Sequence, residues 1–278
     1  MTHIKFAIIN DIHLGPADSG HYNGVQRKLV AQAERLVRKF VEEMNTKEKP
    51  AFVVNLGDTI EDVNNKETDL HYFKRAVELL SGLKMPLYSL VGNHDIRTLT
   101  QQEIAGMLGH ERMYYSFDNG GFHFVVLSFE MTGDHTHNLG DISAVVPKNQ
   151  MEWLERDLAS TKNSTVVFVH YGLADDDMKG NFWFETMPSI ATLDNRAEVR
   201  KVLETSGKVR AVITAHQHWN RMFVHNKIPY FTVTSLIENF NNDGVPAEAY
   251  TIVELSGNKI ELDVKGNDPA HFIYPDKS

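Results

Sequence analysis

The sequence predicts an α/β fold in which two packed mixed β-sheets carry helices on their outer faces, a four-layer α/β/β/α sandwich. Three observations predict it. Short apolar runs that read as buried strands occur at Phe6-Ala7-Ile8-Ile9, Phe52-Val53-Val54, Leu87-Tyr88-Ser89-Leu90-Val91, Val166-Val167-Phe168-Val169 and Val209-Arg210-Ala211-Val212-Ile213. Segments with helical apolar spacing alternate with these runs, as βαβ units require, and the second half of the chain adds paired short strands.

Taken in order, residues 25–45 place apolar groups at Val25, Leu29, Ala33, Leu36, Val37, Phe40, Val41 and Met44, the stripe of an amphipathic helix packed on a sheet. Residues 68–82 read as a second helix. A third begins at Pro147, favoured in a first turn, and runs through Trp153, Leu154 and Leu158; residues 196–206 make a fourth with Gly207 as its stop. Met113–Phe117 and Phe122–Ser128 read as a hairpin around Asn119-Gly120, and residues 221–233 and 249–264 as two more. No Pro/Gly/Ser-rich linker or internal repeat divides the chain, which is expected to form one domain over residues 1–278. Two irregular stretches, residues 129–146 and 171–195, exceed ordinary connections and are expected to cover a site.

Composition narrows the chemistry. With no cysteine among 278 residues, metal ligands are limited to imidazole, carboxylate or amide, and a disulfide framework is excluded. The formal charge of −9 argues against sequence-independent nucleic-acid binding, which needs clustered Lys and Arg. Two bound divalent ions would supply positive charge locally, so global acidity does not forbid an anionic substrate. No long apolar run suggests a membrane span, and the first strand begins within a few residues of Met1, leaving no room for a secretory signal; a cytoplasmic protein is the simplest expectation.

Polar signatures follow most of the buried runs: Asp11-Ile12-His13, Gly57-Asp58, Gly92-Asn93-His94-Asp95, His170 and His216-Gln217-His218. They therefore converge at strand ends, where α/β sheets place their sites. In kind and order they resemble the blocks of the calcineurin-like metallophosphoesterases, D-x-H, G-D, G-N-H-D/E, H and G-H-x-H. The resemblance spans residues 6–218, and the set is specific where a lone D-x-H is not. One departure is Ala215, which stands where the last block usually has Gly; its methyl group demands an ordinary backbone angle or local room.

The resemblance implies a binuclear metal centre, with Mn, Fe or Zn as the expected ions. One ion would take Asp11, His13, Asp58 and His218, the other Asp58, Asn93, His170 and His216, with Asp58 as the bridge. Two metals roughly 3.5–4 Å apart supply a hydroxide nucleophile between them and neutralise phosphoryl charge. The neutral Asn93 amide would keep the second ion Lewis acidic. His94 would be no ligand but the catalytic acid for the leaving group. It needs an orienting carboxylate, and Glu61, Asp62 and Asp95 are all near in sequence.

Other residues stay open between two readings. Arg97 is either a phosphate clamp or an exposed helix-start arginine. Phe182-Trp183-Phe184 either stack a nucleobase or anchor their loop; His135 and His137 of Asp134-His135-Thr136-His137 either extend the site or bind an adventitious ion, or sit in a solvated loop, the default reading, and Asp175-Asp176-Asp177 read by default as a solvated turn. Missing residues set several relatives aside. The chain lacks the G-D-x-x-D-R-G block of protein Ser/Thr phosphatases, and Glu61 occupies the place of the tyrosine ligand of purple acid phosphatases. The pattern Gly-Asp-x-x-x-Asp followed by Gly-Asn-His-Asp is similar to the bacterial cyclic-nucleotide and glycerophosphodiester phosphodiesterases. A small-molecule phosphodiester is thus the expected substrate. A nucleoside-diphosphate-linked pyrophosphatase of the ADP-ribose/CDP-alcohol type and a small phosphomonoesterase are the alternatives, and a metal-binding scaffold is the reading outside enzymes.

Overall fold

The computed structural model describes residues 2–132 and 143–275. In order, its elements are β1 (His3–Ile9), β2 (His21–Tyr22), β3 (Val25–Gln26), α1 (Val30–Glu43), β4 (Val53–Asn55), α2 (Lys66–Leu80), β5 (Leu87–Ser89), α3 (Gln101–Leu108), β6 (Tyr115–Asn119), β7 (Phe122–Val126), β8 (Glu130–Thr132) and β9 (Ser143–Val145). There follow α4 (Lys148–Ser160), β10 (Thr165–Phe168), α5 (Arg196–Ser206), β11 (Val209–Thr214), β12 (Arg221–His225), β13 (Ile228–Thr232), β14 (Tyr250–Ser256), β15 (Lys259–Lys265) and β16 (Ala270–Pro275). One mixed sheet has the order β16-β15-β14-β1-β4-β5 and the other β12-β13-β11-β10-β7-β6.

Strands buried on both faces explain the unbroken apolar runs. Phe6 and Ile8 of β1 point into the space between the sheets, where they meet Phe124, Phe168 and Phe231 of the second sheet. Phe6 stacks on Phe52 at 4.9 Å and meets Phe124 and Phe168 edge-on at 5.6 and 5.8 Å, the favoured aromatic geometries. The alternate residues, Ala7 and Ile9, face outward onto Ala33, Leu36, Val37 and Phe40 of α1. On the opposite side, Val125, Val167 and Val212 pack against Leu154 and Leu158 of α4 and Val199 and Leu203 of α5. These contacts make the four layers expected from the sequence.

Several boundaries differ from the sequence reading, each for a local reason. The first helix begins only at Val30, because residues 21–26 turn back on themselves as the β2–β3 hairpin through Asn23 and Gly24, both at positive φ. Pro147 is the N-cap of α4 rather than its first helical residue. The β6–β7 turn falls on Gly120-Gly121, with Asn119 paired to Phe122, since two consecutive glycines take φ of +57° and +82° without a Cβ penalty. Helix α3 adds to the four helices expected from apolar spacing, and its capping box, Thr100 with Glu103, is legible as T-x-x-E. Strand β16 extends the first sheet beyond residue 264 with alternating half-exposed residues. The irregular stretch 129–146 carries the paired β8 and β9 at its base; His135 and His137 lie outside the described residues.

Two glycines set the distance between the turns after β4 and β5. A Cβ on Gly57, which sits at φ +91°, would lie 2.4 Å from the Gly92 nitrogen. A Cβ on Gly92 would lie 2.1 Å from Asp58 Oδ1 and 2.3 Å from the Asp58 nitrogen. Both are backbone-to-backbone approaches that no rotamer change relieves. Gly92→Ala is therefore expected to destabilise the protein by about 2–4 kcal/mol, read as a lowered unfolding midpoint in denaturant; a midpoint within error of the parent would show that this turn has slack.

Candidate metal centre

The carboxyl ends of β1, β4 and β5 in one sheet and of β10 and β11 in the other open onto the same cleft, and each hands its loop a polar side chain. Asp11 and His13 follow β1, Asp58 follows β4, Asn93 and His94 follow β5, His170 follows β10, and His216 and His218 follow β11. Five of them, Asp11, His13, Asp58, His216 and His218, adopt left-handed φ between +46° and +69°. Such backbone costs of order 1–3 kcal/mol per residue and persists where the surroundings over-determine it. Here the turns brace one another: the Asp11 and His13 amides donate to the carbonyls of Gly57 and Asp58, each at 3.0 Å. Ala215 keeps an ordinary φ and the left-handed step falls on His216 instead, so the methyl group is accommodated.

The structure brings the seven expected ligands into two adjoining groups. Asp11, His13 and His218 offer one set of donor atoms within 4.8 Å of one another, and Asp58, His170 and His216 a second. Asn93 joins the latter, its Oδ1 3.3 Å from His170 Nε2. Asp58 Oδ2 lies between the groups, 3.8 Å from His13 Nε2 and 3.4 Å from His170 Nε2.

The far nitrogens of the imidazoles are bonded to or faced by groups of the scaffold, which sets the nitrogen each turns to the cleft. His170 Nδ1 donates to the Leu56 carbonyl at 2.8 Å, His216 Nε2 to the Ile190 carbonyl at 3.0 Å, and His218 Nδ1 faces Glu238 Oε2. His13 Nδ1 lies 2.8 Å from Glu61 Oε2. The inward Nε2 atoms of His13 and His218 then confront each other at 3.2 Å, and the buried Asp11 Oδ1 has no hydrogen-bond partner. Imidazole nitrogens, carboxylate oxygens and an amide oxygen aimed at shared points fit divalent ions of the Mn, Fe or Zn type.

A third trio, His13, Asp58 and His94, is also within 4.8 Å, but His94 is oriented for another task. Its Nδ1 meets Asp62 Oδ1 at 2.6 Å, and its Nε2 accepts from the Lys28 ammonium at 2.9 Å, so a cation already stands where an ion would have to be. Of the three carboxylates near in sequence, Asp62 is thus the one that orients His94. Glu61 accepts from Lys28 at 2.9 Å and faces His13, and Asp95 caps the backbone amides of Thr59, Ile60 and Gly92. Lys28 and Glu238 were missed in the sequence. Neither belongs to a motif, and Glu238 is distant in the chain from every residue it serves.

Electrostatics follow from this burial. Burial opposes the charge of His170 and His218, yet the carboxylates of Asp58 and of Asp11 with Glu238 outweigh it and raise them to about 9 and about 10. His13 and His216 go the other way, to about 4 and about 3, through burial together with the nearby positive charges of Lys28 and His170 respectively. Burial pushes the Asp58 carboxyl up, but His170 and its neighbours hold it well below the usual carboxylate range.

A cavity of about 260 Å³ opens above these groups, lined by Asp58, Asn93, His94, His216 and His218 and walled by Tyr22, Phe182 and Trp183. The aromatic triplet divides between the two roles expected of it. Phe184 is buried and packs on His216 at 4.9 Å, an anchor, whereas Phe182 is 44% exposed at the rim. Trp183 does both: Tyr22 meets its ring edge-on at 5.1 Å, while its Nε1 donates to Glu238 at 2.8 Å. Arg97 is a cavity residue, its Nη1 3.3 Å from Asp62. Asp175 pairs with Arg196 and Arg200, and Asp176 and Asp177 cap turn amides, so this acidic run is held by its own loop and α5.

The sequence model of the family described as calcineurin-like phosphoesterase matches residues 4–220. A curated relative, the manganese-dependent ADP-ribose/CDP-alcohol diphosphatase of Arabidopsis thaliana, is 21% identical over 263 residues, covering 79% of this chain and 81% of its own. Among solved structures the fold is similar to a dimetal phosphatase from Danio rerio, with a TM-score of 0.75, 18% identity, and 98% of this chain and 99% of that one covered. It is also similar to purple acid phosphatase PPD1 from yellow lupin (Lupinus luteus) seeds, with a TM-score of 0.66 and 15% identity; there 98% of this chain matches 53% of the larger protein. The chain belongs to the calcineurin-like phosphoesterase family and is a metal-dependent hydrolase of phosphate esters, for which the family implies two divalent ions.

Proposed function

We propose that this enzyme cleaves the diphosphate of a nucleoside-diphosphate-linked small molecule, with manganese as its ion. The observation that carries this reading is the aromatic wall of Tyr22, Phe182 and Trp183 on the cavity directly above the candidate ligands. A base stacked there would sit a short phosphate linker away from the metal groups, and base stacking is sequence-tolerant and worth about 1–3 kcal/mol. A glycerophosphodiester would leave that wall unused. The diphosphatase from Arabidopsis thaliana supports the same choice over the cyclic-nucleotide branch.

In this reading Asp11, His13, Asp58 and His218 hold one ion, and Asp58, Asn93, His170 and His216 hold the other. Two divalent ions bound there supply hydroxide at neutral pH and neutralise phosphoryl charge. His94, fixed by Asp62 at Nδ1, turns Nε2 to the cavity beside the Lys28 ammonium; protonated at Nε2 once that ammonium turns to substrate, it gives this proton to the leaving oxygen. The aromatic wall orients the nucleoside, and Glu238 ties that wall to His218 through Trp183 Nε1.

Substrate choice is tested first. With manganese, kcat/KM should be higher on ADP-ribose or CDP-glycerol than on cyclic AMP or glycerophosphocholine; the reverse order would return the substrate to a single phosphodiester. Phe182→Ala should raise KM for ADP-ribose by about tenfold to a hundredfold and spare bis-p-nitrophenyl phosphate, whereas Trp183→Ala disturbs Glu238 as well and cannot separate the two effects.

His94→Ala should lower kcat by about 10²–10⁴-fold with metal content retained, and Asp62→Asn by about 10–100-fold. An Asp62→Asn enzyme with the parent kcat would remove Asp62 from the role of orienting group.

Metal loading should be strongly pH-dependent, because His170 and His218 carry protons up to about pH 9 and 10 in the metal-free chain and must lose them to bind an ion. Their stabilisation of the metal-free fold is fully present below the ordinary histidine pKa of 6.5 and is lost as pH rises through 9 to 10. Apparent manganese affinity should therefore climb between pH 7 and 9 while the metal-free melting temperature falls. Calorimetry in buffers of different ionisation enthalpy reads the released protons, and release near zero at pH 7 would contradict the assignment.

A further inference from the structure

We infer that Lys28 and Arg97 form a subsite for a second phosphoryl group, beside the one that the metal groups take; the inference rests on the diphosphate reading above and names the residues that would recognise it. Lys28 is 8% exposed, and its ammonium reaches the cavity between Glu61 Oε2 and His94 Nε2, each at 2.9 Å. An ammonium has three N–H donors, so one remains without a protein acceptor among the described residues. Arg97 lines the same cavity, and its Nη1 lies 3.3 Å from Asp62, the carboxylate that holds His94 Nδ1. Its Nε is buried and has no hydrogen-bond partner. A buried guanidinium N–H without an acceptor is unfavourable, and Arg97 lines the cavity from which an acceptor can reach its guanidinium.

The charge pattern points to an anion larger than one phosphate. Two divalent ions already match a single phosphoryl group. Two more cations flank His94, the residue assigned to the leaving oxygen, so the extra positive charge stands where the leaving half of a diphosphate would lie. Glu61 and Asp62 hold these cations by one face each and leave their remaining N–H donors for a ligand. The ligand class is a diphosphate or its phosphonate analogue, bound by charge-assisted hydrogen bonds. No bond is made or broken in this step, and both side chains keep their protons.

The test uses the manganese-loaded enzyme and two inhibitors of bis-p-nitrophenyl phosphate hydrolysis, methylenediphosphonate and methylphosphonate, with free manganese held in excess. Lys28→Met and Arg97→Met should each raise Ki for the diphosphonate by about tenfold or more, while Ki for the monophosphonate stays within about threefold. Equal shifts for both inhibitors, or none, would overturn the subsite. Arg97 belongs to neither ligand group, so Arg97→Met carries the same differential reading should Lys28→Met disturb Glu61 and His13. The outcome is independent of substrate choice: an enzyme that ignores ADP-ribose yet shows the differential would lose the proposed function and keep the subsite, and the opposite result would do the reverse.

Discussion

Asp58 is the point on which the rest of the site depends. It sits at φ +49° on the turn after β4, between two glycines that bring the turns after β4 and β5 closer than any side chain would permit. One of its oxygens accepts the His94 amide at 2.9 Å, which fixes the third loop; the other points between His13 and His170. A fully buried carboxylate without cationic company is costly, and the imidazoles arranged around it are what make its burial tolerable. The same arrangement leaves paired donors facing one another across distances that protons alone satisfy poorly. Fold and metal affinity are in this sense one constraint: the turn geometry that concentrates negative oxygen atoms also creates the demand for cations.

Around that point the protein fixes directions as much as positions. Each of the four imidazoles has its outer nitrogen taken or faced by a group of the scaffold: a carbonyl for His170 and His216, and a carboxylate for His13 and His218. Glu238 does more than orient His218. It also accepts from Trp183 and from Arg27, whose guanidinium lies 4.0 Å over the Phe182 ring. The aromatic rim and a candidate metal ligand are therefore attached to the same buried carboxylate, and a disturbance of one reaches the other through a single side chain. The strain stored in five left-handed residues is sustained by these cross-braces.

The overall charge of −9 and the local field are separate quantities. Acidic residues at the cavity are engaged by Lys28, Arg97 and histidines, whereas elsewhere, as in Asp175 with Arg196 and Arg200, they stabilise loops and helix starts. The carboxylates behind the cavity's cations are already turned toward their partners.

The sequence by itself determined the layered architecture and the family, because both depend on local signals. Runs buried on two faces are apolar throughout, helices show their stripe, and the Asp, His and Asn residues sit within one or two positions of the strand ends that carry them. It also contains the capping box of α3, a short local signal, and the alternation of β16, too weakly apolar to stand out at a sheet edge. Tertiary structure alone decided that Asp62 rather than Glu61 or Asp95 holds His94, since three carboxylates a few residues away point in different directions once the turn closes. It alone brought in Lys28 and Glu238, whose partners are 33 and 66 residues away for the first and 20, 55 and 211 for the second. It split Phe182, Trp183 and Phe184 between rim, brace and core. Spacing in a chain records what neighbouring residues do together; contacts across two sheets are set by packing, which no local pattern encodes.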